Sequence, residues 1–102
     1  MKAIPQLSTK EALILKMLIS QSKERYGLDL VAASDGQLKR GTIYVTLGRM
    51  EEKGYVSSHR EATDQTSSVI PRRLYKPTGL GVAILQAREN YEQAISAVPT
   101  PV

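Results

Sequence analysis

Along most of the chain apolar residues recur at helical spacing, and after Gly54 the period changes. A short arm, residues 1–7, precedes the first helical stretch. Ser8 is a good N-cap, and Glu11, three residues on, completes a capping box. The helix it opens runs to about Ser22. Ala12, Leu13, Ile14, Leu15, Met17, Leu18 and Ile19 make it apolar nearly all round, interrupted by Lys16. An ordinary surface helix needs one stripe. This one is either fully buried or shared between its own core and a second subunit. Lys23 to Arg25 form a charged link. A short second helix opens at Tyr26-Gly27, with Leu28, Leu30, Val31 and Ala32 as core candidates. It closes at Ser34-Asp35-Gly36, residues that favour turns. Leu38 anchors the approach to a third helix. Helix, short turn, helix is the spacing of a helix-turn-helix.

The run from Arg40 to Val56, RGTIYVTLGRMEEKGYV, is the most informative stretch. Two cations, Lys39 and Arg40, open it. Ile43, Leu47 and Met50 form an apolar stripe, and Gly54 stops it before Tyr55 and Val56. Opposite the stripe lie Thr42, Val45, Thr46 and Arg49. One face is greasy and the other small, hydroxylic and basic. This is the pattern of a recognition helix that enters a DNA groove. Gly48 in mid-helix costs about 1 kcal/mol relative to Ala. It either allows a close backbone approach or is simply tolerated.

Beyond Gly54, Tyr55 to Glu61 reads as a strand and Ala62 to Ile70 as a polar loop. Pro71 leads into a second strand, Arg72 to Lys76. Two strands joined by a polar loop directly after the third helix make a β-wing. Pro77-Thr78 ends it, and Thr78 caps a fourth helix. Leu80, Ile84, Ala87, Tyr91, Ala94 and Val98 follow at spacings of 4 and 3, the a/d seam of a helix that pairs with another. Either a second copy of the chain covers this seam, or the seam packs on the first helix of its own chain. The tail VPTPV is not expected to be ordered. The sequence thus predicts a mainly α fold with a two-stranded β-wing, a winged helix-turn-helix plus a C-terminal dimerisation helix. We expect a single domain over residues 1–102, with the wing at about 55–77 and the dimerisation helix at about 78–98.

Charge sharpens this picture. The formal net charge of the 102 residues is +4. Residues 39–76 alone hold eight cations and four anions, a net of +4, against +1 before them and −1 after them. A polyanion is drawn to that segment. The chain has no cysteine, so disulfide and thiolate chemistry are excluded and a reducing compartment fits. No apolar run approaches the roughly 20 residues that span a bilayer. Lys10, Glu11 and Lys16 break any signal-peptide plan. A cytoplasmic protein without a membrane partner is expected. His59 is the one histidine, which argues against a transition-metal site. There is no nucleophile elbow and no Gly-rich phosphate loop. Neither an enzyme nor a cofactor is expected.

Three segments together resemble the PadR family of bacterial transcriptional regulators: LILKMLISQSKERYGLDL, LKRGTIYVTLGRMEEKGYV and PRRLYKPTGLG. The family pattern is matched by Tyr26-Gly27, by Gly41 to Tyr44, by Leu47 to Gly54, and by Leu74-Tyr75 with Thr78 and Gly81. The resemblance covers roughly residues 9–90, and its most specific part is the third-helix motif. It implies a winged helix-turn-helix, a homodimer built by terminal helices, and repression by operator binding. Lys39 stands where the family often has a capping Ser or Thr, and Leu74 where it has an aromatic residue. The chain resembles the short branch, without the long carboxy-terminal domain of the other. A small-molecule effector is therefore left open.

These readings assign roles to particular residues. Lys39 and Arg40, at the start of the third helix, meet phosphates together with its unpaired N–H groups. Thr42, Val45, Thr46 and Arg49 face the groove, where methyls suit thymine and Arg49 donates to guanine or phosphate. Tyr44 either bonds a phosphate through its hydroxyl or is wholly structural. Arg60, Arg72 and Arg73 flank the wing loop and reach adjacent phosphates or the minor groove, the alternative being simple exposure. Leu80, Ile84, Ala87, Tyr91 and Ala94 form the dimer seam. The expected partners are double-stranded DNA and a second copy. The alternative from a different class is a winged-helix module that binds protein through the same helix or wing.

Overall fold

The computed structural model describes residues 7–21, 24–61 and 72–97. Four helices and three strands follow in the order α1 (Thr9–Gln21), β1 (Arg25–Tyr26), α2 (Gly27–Ala33), α3 (Ile43–Glu52), β2 (Val56–Arg60), β3 (Arg73–Pro77) and α4 (Gly79–Ala97). The capping box forms as its spacing predicts. The Glu11 N–H donates to Ser8 Oγ at 3.1 Å, and the Ser8 N–H donates back to Glu11 Oε1 at 2.9 Å. Ile14, Leu15 and Leu18 of α1 are buried at the centre of the core, while Leu13, Met17 and Ile19 are only partly covered.

The turn between α2 and α3 is built from two left-handed residues, Asp35 and Gly36, with φ of 55° and 84°. Buried Ser34 holds this turn from both sides. Its hydroxyl donates to the Val31 carbonyl at 2.8 Å and accepts the Leu38 N–H at 2.9 Å. Leu38 is thereby pinned in the core ahead of α3. That helix buries Ile43, Leu47 and Met50. It stops in a paired turn at Gly54, whose φ is 82°. The Tyr55 N–H reaches the Met50 carbonyl and the Gly54 N–H reaches that of Glu51, at 2.8 and 3.0 Å. This double closure at a left-handed glycine satisfies the last carbonyls of α3.

The sheet has three strands rather than two. Its order is β1-β3-β2, antiparallel throughout, with Tyr26 opposite Leu74 and Ser58 opposite Tyr75. Arg25 and Tyr26, expected as a link and a helix start, are extended because they pair with β3. Two residues are too few to show a period in the sequence. The loop expected from Ala62 to Ile70, the last seam residue Val98 and the tail lie outside the described residues.

Thr78 caps α4. Its hydroxyl accepts the Gly81 N–H at 2.9 Å and donates to the Gly54 carbonyl at 2.6 Å. Gly81 is pressed so closely on the chain that a Cβ there would lie 2.1 Å from the Tyr55 carbonyl oxygen. Buried Leu85 continues the inner face of α4. The seam residues lie to one side of that face. Leu80 is 52% and Tyr91 45% exposed, and Ala87 and Ala94 are exposed as well. Within one chain, α1 is met by Gly81 and Glu89 of α4, and the cap of α1 by Arg88. Ile84 alone of the described seam residues is also packed on the core.

Candidate nucleic-acid interface

Burial of Ile43, Leu47 and Met50 turns the opposite side of α3 outward. Thr42, Val45 and Arg49 are exposed, Val45 by 56%. Thr46 is only partly exposed, and its hydroxyl donates to the Thr42 carbonyl at 3.1 Å. What Thr46 offers outward is its methyl and a remaining lone pair. Its hydrogen is already engaged, as is common for Thr inside a helix. Thr46, Arg49 and Lys53 share an open groove with Ser8, Thr9 and Lys10 at the start of α1. The basic side of α3 thus faces the N-terminal turn of α1.

Lys39 and Arg40 are exposed, but they do not sit at the first turn of α3 as the sequence suggests. The helix begins at Ile43, and residues 40–42 form a turn before it. The Lys39 carbonyl accepts the N–H groups of Thr42 and Ile43 at 3.2 and 3.0 Å. The Thr42 N–H, one of the donors expected to be open to phosphate, is therefore occupied by the chain itself. The cause is simple. A turn that returns a carbonyl to the helix start replaces the side-chain cap that Lys39 lacks.

Tyr44 lies half exposed on the flank of α3, with its ring against Gly27. A Cβ at Gly27 would come within 2.7 Å of Tyr44 Cε1 and 3.3 Å of Leu47 Cδ1. The ring packs while part of the side chain stays open to solvent, so both roles foreseen for Tyr44 are compatible with this placement. Gly48 has nothing within 4 Å of where a Cβ would be. No close approach among the described residues explains it.

The wing arginines differ from one another. Arg60 is exposed at the end of β2. Arg72 stacks its guanidinium over the Tyr26 ring, 3.9 Å from the centroid, with Nε 3.5 Å from Glu61 Oε1. The Tyr26 hydroxyl donates to the same carboxylate. The bond to Tyr26 and the charge of Arg72 hold the Glu61 carboxyl below its ordinary range. In turn, the bond to Glu61 raises the Tyr26 hydroxyl. Arg73 Nη1 donates to Ser58 Oγ at 3.0 Å, and that hydroxyl donates to Glu51 Oε2 at 2.7 Å. Both arginines are built into the base of the wing, one reaching to β1 and the other toward α3.

These clamps join residues 15 and 35 positions apart, and no local pattern in the sequence announces them. The same holds for the pairing of Glu11, only 5% exposed, with Lys53 Nζ at 3.0 Å. The pair lies 42 residues apart, so no local pattern announces it. His59 Nε2 lies 3.0 Å from Glu24 Oε2. Among the described residues no cluster of His, Cys, Asp and Glu suits a metal ion, and no helix is long and apolar enough to cross a membrane.

An exposed small and basic helix face, a preceding pair of cations and a braced wing make a surface shaped to meet duplex DNA. Comparison with known proteins points the same way. The model of the family described as "Transcriptional regulator PadR-like family" matches residues 14–87. Among curated proteins none matches the chain. Several solved structures do. A PadR family transcription regulator from Clostridium difficile is 28% identical with a TM-score of 0.66, over 83% of this chain and 88% of that one. A PadR-like transcription factor from Bacteroides fragilis is 23% identical with a TM-score of 0.71, over 85% and 82%. The fold extends further. A protein with a GntR superfamily winged-helix-turn-helix domain from Halomicrobium mukohataei is 16% identical with a TM-score of 0.67, over 93% and 71%.

Proposed function

The chain belongs to the PadR-like family of transcriptional regulators, and from that premise we propose that it is a cytoplasmic repressor that binds an inverted-repeat operator as a homodimer. The observation that carries the DNA-reading part is the two-sided build of α3. Three buried apolar residues fix the helix from behind, and Thr42, Val45 and Arg49 are left facing out. Lys39, Arg40 and Arg60 stand ready on either side to meet phosphates. Arg72 and Arg73 add charge to the wing while holding its base. Base edges are then read by α3, and register on the duplex is fixed by the flanking cations.

The homodimer reading rests on α4. Beyond Arg88 the helix projects, with Tyr91 and Ile95 exposed by 45% and 57%. Leu80, Ile84, Ala87, Tyr91 and Ala94 give it a continuous seam of apolar and small residues. An apolar stripe on a projecting helix is covered by a like stripe in a two-fold dimer. Two recognition helices related by that axis read an inverted repeat, with half-site centres about 10 base pairs, or a multiple of that, apart. Occupation of such a site at a promoter excludes polymerase, hence repression.

Selection of bound duplexes from a random library is the test. An enriched inverted repeat, bound with a steep salt dependence, is the expected result. Recovery of no preferred sequence, with binding instead to a protein partner through α3, would replace this reading by that of a protein-interaction module.

A further inference from the structure

The arm that carries the seam is tied to the recognition helix by a chain of charged and polar contacts through the first turn of α1. Arg88 Nη1 donates to the carbonyls of Leu7 and Ser8, at 3.1 and 2.9 Å. Its Nε faces Glu92 Oε2 at 3.4 Å, which steadies the guanidinium on α4. Ser8 is the cap of α1, and its N–H is held by Glu11 Oε1 at 2.9 Å. The two oxygens of Glu11 receive Lys53 Nζ at 3.3 and 3.0 Å. Lys53 is the C-terminal cap residue of α3.

Glu11 makes this chain stiff. A carboxylate that is 5% exposed has no water to fall back on. Moving the end of α3 away from α1 would strand a buried charge. The geometry of α4 makes the chain consequential. Gly81 presses on the Tyr55 carbonyl, and Arg88 grips the α1 cap. These two anchors stand seven residues apart, about 10 Å at about 1.5 Å per residue. Residues 91–96 are exposed, so beyond Arg88 and Glu89 the helix is little covered by its own domain. Two anchors set the direction of a rod, and a small shift at Arg88 is magnified at its tip.

We propose that Glu11 and Arg88 are positioning residues that fix the angle between the recognition helix and the dimer arm, and so set the half-site spacing the protein reads. The inference rests on the homodimer reading above, since only a dimer joined through α4 converts an arm angle into a distance between recognition helices. The half-site sequence, read by the outer face of α3, is untouched by this device. Spacing and sequence preference are therefore separable.

The experiment uses the full chain and duplexes with one half-site sequence at a series of spacings. Glu11→Gln and Arg88→Met are compared with wild type. Lys16→Met serves as control, because its pair with Glu89, which also joins α1 to α4, is long at 3.8 Å and exposed on both sides, where an ion pair contributes little. In both variants the ratio of affinities between the best spacing and its neighbours should fall by about fivefold or more, the lower range of a coupling between sites. Preference among half-site sequences should stay unchanged, and the control should behave as wild type. Should Glu11→Gln fail to fold, Arg88→Met decides the matter, since its partners are two backbone carbonyls at the edge of α1 and the exposed Glu92 carboxylate. Folded, dimeric variants that lose affinity equally at every spacing would overturn the proposal and leave the dimer reading standing. A wild-type protein that is monomeric, or indifferent to spacing, would bring down both.

Discussion

Arg72 and Glu61 pair directly at the base of the wing, and Tyr26 serves both, as stacking surface for the one and hydrogen-bond donor to the other. The consequence is a dependence on pH. Glu61 has its carboxyl lowered in the folded protein from an ordinary value of 4.5, so its stabilisation is complete above that value and is lost as pH falls through the lower, folded one. Tyr26 is raised from 10.0, so its share is complete below that and is lost as pH rises beyond the folded value. Tyr26→Phe should therefore lower the melting temperature near neutral pH, and the difference from wild type should shrink in acid. A thermal melt series from about pH 3 to about pH 8 spans the carboxylate range and checks it; a difference that stays constant in acid would mean that the charge of Glu61 adds nothing to the bond. Gly81 makes a second prediction at this scale. A methyl there meets a backbone oxygen, which cannot turn aside as a side chain can. Gly81→Ala should cost about 3 kcal/mol or more, the upper range for overpacking, as read by denaturant unfolding. Wild-type stability in that variant would show that α4 lifts off the backbone at Tyr55 at little cost.

At the scale of the element, α3 and its flanks divide the labour of binding. If Lys39 and Arg40 hold phosphates from the turn before the helix, replacing either by Ala should weaken binding to all duplexes alike. It should also flatten the salt slope by about one counterion for each phosphate no longer held. Arg49→Ala and Val45→Ala should instead change which sequence is preferred, by about 1–3 kcal/mol where a good bidentate pair with a base is broken. Parallel binding curves at several salt concentrations, on preferred and altered sites, separate the two classes. Unchanged sequence preference in both groove-face variants would remove α3 from the reading role. The wing adds a contrast of its own. Arg60 is exposed at the strand end, while Arg72 and Arg73 also brace the fold, so Arg60→Ala should affect DNA binding with the least loss of stability.

For the whole molecule, the decisive property is assembly. Ala87 and Tyr91 are exposed within one chain, so charging them tests the partner contact without touching the core. Ala87→Glu or Tyr91→Glu should yield a folded monomer with weak, non-cooperative operator binding. Analytical ultracentrifugation at micromolar concentration reads this directly, with wild type expected as the dimer. A dimer that survives both substitutions would move the interface elsewhere.

What the sequence determined by itself are the features whose interactions close within a few residues. Ser8 and Glu11 announce the start of α1 because each bonds the other's backbone three positions away. Ile43, Leu47 and Met50 announce a buried stripe because a helix repeats about every 3.6 residues. Gly54 announces the end of α3 because the left-handed turn at its C-terminus favours glycine. Family membership was legible for the same reason, in the motif from Gly41 to Gly54. The tertiary structure alone decided what depends on distant partners. Arg25 and Tyr26 are a strand only because β3 lies beside them. Arg72 became part of a clamp because folding brought Tyr26 to Glu61 across 35 positions. Arg88 and Ser8 meet across 80, and Glu11 and Lys53 across 42. Such pairs follow from how rigid elements pack, and packing has no period for a sequence to display.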